Sequence, residues 1–149
     1  MADAETPTDP IEVLLVEDNP GDVRLAQEAF DAVDRPIQLT VATDGTEALD
    51  HLRTAAPEHL PALVLLDLNL PGADGRTVLR ECKSRPTLRH TPVVVFTSSE
   101  EPEDVRGLYD AHANAYVPKP RDADGYFDTV QRLDAFWFST ALLPEVGRS

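Results

Sequence analysis

The sequence predicts an α/β fold, a doubly wound five-stranded parallel sheet with helices on both faces. Five short runs of apolar and β-branched residues alternate with segments in which apolar residues recur every three or four positions. Most of these runs are nearly continuous in apolar residues, which is typical of strands buried on both faces. Strands that alternate with helices form parallel sheets with right-handed crossovers, and this pattern therefore predicts the fold class.

The predicted strands are short and spread along the whole chain. The third contains the longest uninterrupted apolar run, five residues, and it ends on Asp67. A run of this length is too short to cross a bilayer, which takes about 20 apolar residues. The predicted strands are IEVLLV (11–16), QLTVA (38–42), ALVLLD (62–67), VVVFT (93–97) and AYVP (115–118).

Helical spacing is clearest after the first, third and fifth strands. Asp22, Asp44 and Asp74 lie near the starts of three helical segments, where a carboxylate can cap a helix or interact with its dipole. The last segment predicts a helix of about four turns. The apolar positions are Val23, Ala26, Phe30 and Val33, then Gly75, Val78, Leu79 and Cys82, and finally Phe127, Val130, Leu133 and Trp137.

Residues 11–142 are predicted to form one domain, because 149 residues with 42% apolar composition can bury a core of that size. Residues 1–10 are acidic, contain two prolines and show no periodicity, so they predict a flexible tail. A second tail is expected at 143–149. The N-terminus has no basic region followed by an apolar stretch, which argues against a signal peptide and favours a cytoplasmic location. With Cys82 as the lone cysteine, no internal disulfide can form.

The charge balance limits the partners. The chain has 27 acidic and 13 basic residues, a net charge of −14, and its lysines are Lys83 and Lys119. So acidic a surface repels phosphate backbones and anionic lipids, which argues against binding to nucleic acid or membranes. Scarce lysine together with abundant acid also favours the hypothesis of a halophilic protein. At molar salt the Debye length falls to about 3 Å, which would screen the self-repulsion.

The predicted strands end in residues that suit a cation or a phosphate. The first runs into Glu17 and Asp18, the third into Asp67, the fourth ends on Thr97, and the fifth is followed by Lys119. In open α/β sheets, ligands bind beyond the carboxyl ends of the strands. Three converging carboxylates are costly unless a positive charge is bound, and oxygen ligands suit Mg²⁺. The strand ends therefore predict a magnesium and phosphate site.

These stretches resemble the receiver domain of two-component response regulators. The matching pieces are LLVEDNPGD, LLDLNLPGADG, VVVFTSS and AYVPKP. The resemblance covers about residues 11–142 and implies a flavodoxin-like sheet with strand order 2-1-3-4-5. The longer patterns EDNPGDVRL and YDAHANAYVPKP resemble a subgroup of small single-domain regulators that are paired with phytochrome-type and other sensor kinases.

The resemblance implies a role for each residue of the site. Asp67 is expected to accept a phosphoryl group from a histidine kinase and form an acyl phosphate. Asp18 and Asp67 are expected to bind Mg²⁺ directly, Glu17 through water, and Asn69 through its backbone carbonyl. Lys119 is expected to pair with one phosphoryl oxygen and the Thr97 hydroxyl to donate to another.

The resemblance also implies a switch and a surface. Thr97 is expected to move toward the phosphoryl group while Tyr116, in the fifth strand, turns inward behind it. A downstream protein partner or a homodimer is expected on the face formed by the fourth helix, fifth strand and fifth helix. Consecutive helical residues lie about 100° apart, so at least one residue of Phe136, Trp137 and Phe138 should face outward. The aromatic residues of this half are Tyr109, Tyr116, Tyr126, Phe136, Trp137 and Phe138.

Two other functions fit parts of the pattern. A receiver-like adaptor could dock without being phosphorylated, although such proteins usually lose part of the set that is intact here. A Mg²⁺-dependent aspartyl phosphohydrolase commonly has a second aspartate two residues after its nucleophile, where this chain has Asn69. Flavin binding is disfavoured, because EDNPGD places acids where a phosphate loop needs donors.

Overall fold

The structure, a computed structural model, describes residues 10–68, 70–72, 74–98 and 101–140. The chain alternates five strands with five helices, joined by one 3₁₀ turn and followed by one π-helical turn within these ranges. The strands are β1 (Ile11–Val16), β2 (Ile37–Ala42), β3 (Leu63–Leu66), β4 (Val93–Thr97) and β5 (Ala115–Pro118). The helices are α1 (Pro20–Asp31), α2 (Gly45–Thr54), α3 (Gly75–Ser84), α4 (Pro102–Asp110) and α5 (Ala123–Ala135), the 3₁₀ turn is Pro57–His59, and the π-helical turn is Phe136–Thr140.

The five strands form one parallel sheet in the order β2-β1-β3-β4-β5, which confirms the predicted fold class and topology. Val16 pairs with Leu66 across β1 and β3, so the two strands end level with each other. Successive strands are added on one side of β1 as far as β2 and on the other side from β3 onward, and this change of side opens a crevice at the carboxyl edge between β1 and β3. This register places the residues that follow Val16 and Leu66 side by side.

Alternate residues of the strands feed two apolar layers. In β1, Leu14 and Val16 face the side covered by α2, α3 and α4, whereas Val13 and Leu15 face the side covered by α1 and α5. All four are at most 2% exposed. Each layer is continuous from one edge of the sheet to the other, so the carboxyl edge is the place where polar side chains can gather above a dry core.

Side chains cap the starts of most helices. Asp44 accepts the Glu47 amide at the start of α2, and Asp74 accepts the Thr77 amide at the start of α3. At α1 the cap is Asn19, and Asp22 lies inside the first turn. Asp22 therefore suits the helix dipole as expected, but its side chain is free for another partner.

The end of the chain differs from the prediction in one respect. α5 stops at Ala135, and Trp137 lies in the π-helical turn that follows. Phe136 is 51% exposed, which confirms that one of the three consecutive aromatic residues faces outward. Trp137 and Phe138 pack against the layer of α1 and α5.

Tyr126, which was counted among the aromatic residues of this half of the chain without a prediction of its exposure, is 1% exposed and belongs to the core. Of the two predicted tails, only residue 10 lies within the described residues. No helix in the described ranges combines the length and the apolar character that a bilayer crossing requires.

Candidate functional site

The backbone brings the first carboxylates together. Glu17 directly follows β1, and Asp67 directly follows β3. The backbone amide of each residue adds one more hydrogen bond to those that join its strand to the neighbouring strand. The Glu17 amide donates to the Ala42 carbonyl at 2.9 Å, and the Asp67 amide donates to the Val16 carbonyl at 3.0 Å. The positions of both residues are thus fixed by the sheet itself rather than by a loop.

Glu17, Asp18 and Asp67 form an acidic cluster. One carboxylate oxygen from each lies within 4.8 Å of the others, close enough for all three to bind one metal ion. Glu17 is 2% exposed, Asp67 is 7% exposed, and Asp18 faces solvent. Oxygen ligands of this kind suit a hard divalent cation that keeps some of its water.

Lys119 places its ammonium group among these carboxylates. Its Nζ lies 2.6 Å from Glu17 Oε1, 3.1 Å from Asp67 Oδ2 and 2.9 Å from Asp22 Oδ2. The Lys119 amide donates to the Thr97 carbonyl at 2.8 Å, which holds the start of the β5–α5 loop against the end of β4. The ammonium group thus neutralises part of the negative charge of the carboxylates, whose ionised form burial makes less favourable.

The pKa values follow from this arrangement. Burial raises the pKa of Glu17 to about 7, against the opposing effect of its hydrogen bonds with Lys119 and the Asn19 amide. For Lys119, burial lowers the pKa, but the hydrogen bonds to Glu17 and Asp22 outweigh it, so the pKa lies above its usual value. Lys119 therefore stays charged at neutral pH, while Glu17 can hold a proton until a metal replaces it.

The Asp67 carboxylate is held from two sides. Its Oδ1 accepts the Leu68 amide at 2.7 Å, and its Oδ2 accepts from Lys119. The chain then returns so closely that a Cβ on Gly75 would lie 2.4 Å from the Asp67 carbonyl oxygen. Only a residue without a side chain fits there. The predicted metal ligand Asn69 lies outside the described residues.

Within the described part of the chain, two buried hydroxyls lack a hydrogen-bond partner. Thr97, at the end of β4, is 0% exposed, and its Oγ1 is unpaired. The Tyr126 hydroxyl, on α5, is the second. A buried hydroxyl without a hydrogen-bond partner lowers the stability of the fold, so its presence calls for an explanation. The Thr97 hydroxyl stands where the sequence predicts a donor to a bound phosphoryl group.

Tyr116 lies on the edge strand β5. Its side chain is partly buried and packs against the α2–α4 layer, and its amide donates to the Tyr109 hydroxyl at 3.1 Å. Val105, Tyr109, Tyr116 and Pro118 line a small surface cavity of about 230 Å³. Tyr116 therefore has room beside it, as a side chain that changes position requires.

Sequence reasoning missed two residues near the site. Asp22 was assigned only to the start of a helix, and Tyr126 was given no position beyond the aromatic half of the chain. Asp22 could have been found, because it lies one helical turn after the strand-end pair Glu17 and Asp18. Tyr126 could not, because its place depends on how α5 packs against α1.

The sequence matches known proteins over most of its length. A family model described as the response regulator receiver domain matches residues 13–131. The response regulator Rcp1 of Synechocystis is 40% identical over 147 residues, which cover 97% of this chain and 99% of Rcp1.

Solved structures agree with this match. The phosphorylated cyanobacterial phytochrome response regulator RcpA is 43% identical and superposes with a TM-score of 0.85, covering 91% of this chain and 99% of that one. The Mn²⁺-bound form of Rcp1 is 41% identical with a TM-score of 0.82, covering 91% and 99%. The fold therefore has counterparts among response regulators of known structure.

Proposed function

Because the chain belongs to the response regulator receiver family, we propose that it accepts a phosphoryl group from a sensor histidine kinase onto Asp67 and transmits the signal by a change of conformation. The observation that carries this proposal is the convergence at Asp67. Its carboxylate shares a cluster within 4.8 Å with Glu17 and Asp18, and Lys119 Nζ lies 3.1 Å from it.

We infer that the divalent ion is Mg²⁺. Glu17, Asp18 and Asp67 would hold it, together with the backbone carbonyl of Asn69, and the all-oxygen donor set fits a hard cation. The Mn²⁺-bound form of Rcp1 supports a divalent ion in a relative. When bound, the ion neutralises charge between the carboxylates and the incoming phosphoryl group.

The residues of this chain position and stabilise the transfer. An oxygen of the Asp67 carboxylate attacks phosphorus, the P–N bond of the donor phosphohistidine breaks, and the imidazole keeps the electron pair. Lys119 pairs with one phosphoryl oxygen, and the Thr97 hydroxyl donates to another. The unpaired, fully buried state of that hydroxyl supports this role, because the phosphoryl group supplies the acceptor it lacks.

The signal passes through Thr97 and Tyr116. As the threonine moves toward the phosphoryl group it vacates space behind it, and Tyr116 turns inward to fill that space. Such coupling requires two conformations that differ little in free energy, one of which the phosphoryl group favours. The half-buried position of Tyr116 beside a small cavity supports this role.

The partners follow from the relatives and from the surface. The relatives named as phytochrome response regulators support a phytochrome-like histidine kinase as donor. A net charge of −14 argues against nucleic acid and membrane partners and agrees with a cytoplasmic location. The described elements run from β1 to the π-helical turn, which supports a receiver unit at residues 11–142.

A homodimer or a downstream protein would use the α4–β5–α5 face. An apolar groove of about 480 Å³ lies beside the outer edge of β5, and Phe136 stands exposed at its rim. Exposed aromatic residues and an unpaired strand edge favour association. Light scattering measures the mass of the wild type and of Phe136→Ser. If the wild type is a dimer and the variant has the same mass, this groove is not the dimer interface. The groove is lined by Asn114, Ala115, Val117, Thr129, Arg132, Leu133, Phe136 and Trp137.

Phosphorylation by a small acyl phosphate tests the main proposal. The protein is incubated with acetyl phosphate and Mg²⁺, its intact mass is measured, and peptide mapping locates the adduct. We expect one phosphoryl group on Asp67, none in Asp67→Asn, and none after Mg²⁺ is chelated. The control Asp50→Asn removes an exposed carboxylate on α2 and should be modified like the wild type.

Two results would contradict the proposal. An adduct that persists in Asp67→Asn would mean that another residue is the acceptor. If neither acetyl phosphate nor a histidine kinase produces an adduct, and no Mg²⁺ binds, the non-phosphorylated adaptor would be the better interpretation.

A further inference from the structure

The second unpaired hydroxyl has no role in the chemistry described so far. Thr97 gains a phosphoryl oxygen as its acceptor, but Tyr126 does not belong to the receiver motif. Its hydroxyl is buried without a hydrogen-bond partner, and the residue is 1% exposed. Phenylalanine would fill the same space without this cost, so the hydroxyl calls for a partner in another state of the protein.

Tyr126 stands close to the charged site. It lies in the first turn of α5, and its ring packs edge-on against Phe96, the residue before Thr97, with centroids 5.3 Å apart. α5 packs against α1, the helix that carries Asp22. Burial raises the pKa of Tyr126, and the largest charge effect on it comes from Asp22, ahead of Lys119, Glu17 and Asp67. The hydroxyl therefore lies within electrostatic reach of the site but bonds to no member of it.

Asp22 is the residue that will need a new partner. In this structure its Oδ2 receives a hydrogen bond from Lys119 at 2.9 Å, and its side chain is 28% exposed. Lys119 is shared among Asp22, Glu17 and Asp67. A phosphoryl group on Asp67 would draw the ammonium group toward itself, and Asp22 would then lose its cation, whereas Glu17 would still have a metal ion as partner if it helps to hold one.

We propose that Tyr126 is a positioning residue. When Lys119 pairs with the phosphoryl group, the Tyr126 hydroxyl replaces it as the hydrogen-bond donor to the Asp22 carboxylate. This exchange lowers the cost of releasing Lys119, because a partly buried carboxylate is not left unpaired. It also links α5 to α1 only in the phosphorylated state. The inference rests on the proposed function of Asp67.

Tyr126→Phe separates this role from simple packing. The probe is beryllium fluoride with Mg²⁺, a stand-in for the phosphoryl group, and thermal unfolding is followed with and without it. Without the probe, removing an unpaired hydroxyl should raise the melting temperature by about 2–4 °C. With the probe, we expect its apparent affinity to fall about tenfold, the usual worth of a hydrogen bond to a charged group. A merely structural role would not move these two quantities in opposite directions.

A double-mutant cycle with Asp22→Ala tests the route. If Tyr126 acts through Asp22, Tyr126→Phe should lower the affinity for beryllium fluoride about tenfold in the wild-type background. In the Asp22→Ala background, it should lower this affinity less than twofold. Ser84→Ala, which removes a hydroxyl from the exposed end of α3, should leave the affinity unchanged.

Three outcomes would overturn the inference. The first is an affinity of Tyr126→Phe within twofold of the wild type. The second is a tenfold loss that persists beside Asp22→Ala, since Tyr126 would then act without Asp22. The third is a wild type that binds no beryllium fluoride with Mg²⁺, which would remove the proposed function and this inference together.

Discussion

The two halves of the site are packed differently. Around β1 and β3, all four residues of β3 are buried, and Glu17 and Asp67 are fixed by sheet hydrogen bonds. Around α4 and β5, no residue of β5 is fully buried, and Leu108 is the one buried residue of α4. The half that holds the carboxylates is therefore rigid, and the half that carries Tyr116 is loosely held.

This difference matches what each half has to do. A nucleophilic carboxylate and its metal ligands must keep their geometry within a fraction of an ångström. An element that reports phosphorylation must instead change position at low cost, which favours few buried contacts. α4 also begins without a side-chain cap, unlike α1, α2, α3 and α5. The same kind of change should therefore have opposite consequences in the two halves.

The largest effect is expected in the rigid half, from Gly75→Ala. A Cβ there would lie 2.4 Å from the Asp67 carbonyl oxygen and 3.0 Å from Leu68 Cα, both of which are backbone atoms that cannot turn aside. We expect a loss of about 3 kcal/mol in the free energy of unfolding, as for other overpacked core positions. Urea unfolding measures it. A loss below about 0.5 kcal/mol would show that the start of α3 shifts freely, contrary to a rigid half.

The next effect is the pH dependence of metal binding. Burial raises the pKa of Glu17 to about 7, so below that pH a bound ion must displace a proton. Affinity for Mg²⁺ should fall by up to about tenfold per pH unit below 7 and be flat above it. Titrations between pH 6 and pH 8 measure the slope, and Glu17→Gln should remove it.

The same shift has a consequence for the stability of the metal-free protein. A glutamate whose pKa is raised on folding binds protons more tightly in the folded state than in the unfolded state. Between the unfolded value of 4.5 and about 7, Glu17 therefore makes the folded protein less stable as the pH rises. A stability that rose with pH in this window, and did so equally in Glu17→Gln, would contradict this account.

A smaller effect is expected at the junction between the halves, from Thr97→Val. The change removes an unpaired buried hydroxyl and keeps the shape of the side chain. The metal-free protein should gain about 1 kcal/mol in the free energy of unfolding. Phosphorylation of Asp67 should persist, while the conformational response weakens. Chemical denaturation measures the change in stability. NMR measures the conformational response, as the change in the surroundings of Tyr116 on phosphorylation. If stability falls, the Thr97 hydroxyl has a partner in the resting state.

The strands and the residues at their carboxyl edge could be predicted from sequence, and the packing of α1 and α5 around them could not. Continuous apolar runs that end on Asp18, Asp67 and Thr97 place the site, because parallel strands bring their carboxyl ends to one edge. Strand bounds were predicted to within one residue at either end. The pairing of Lys119 with Asp22 and the burial of Tyr126 were missed, because they depend on how α1 and α5 pack. The halophilic adaptation stays a prediction, which unfolding at increasing KCl would test.

The smallest effect is expected in the loose half, from Gly107→Ala on α4. A Cβ at Gly107 would meet no atom within 4 Å, whereas the same methyl group at Gly75 would strike the backbone. Alanine favours a helix over glycine by up to about 1 kcal/mol, so here the change should stabilise. Because α4 is held by little buried surface, it should open separately from the core. The gain should then appear as exchange of α4 amide hydrogens slowed by about three- to fivefold, with little change for β3 amides. Equal slowing in β3 would mean that α4 unfolds together with the carboxylate-bearing half, and the two halves would then be one cooperative unit.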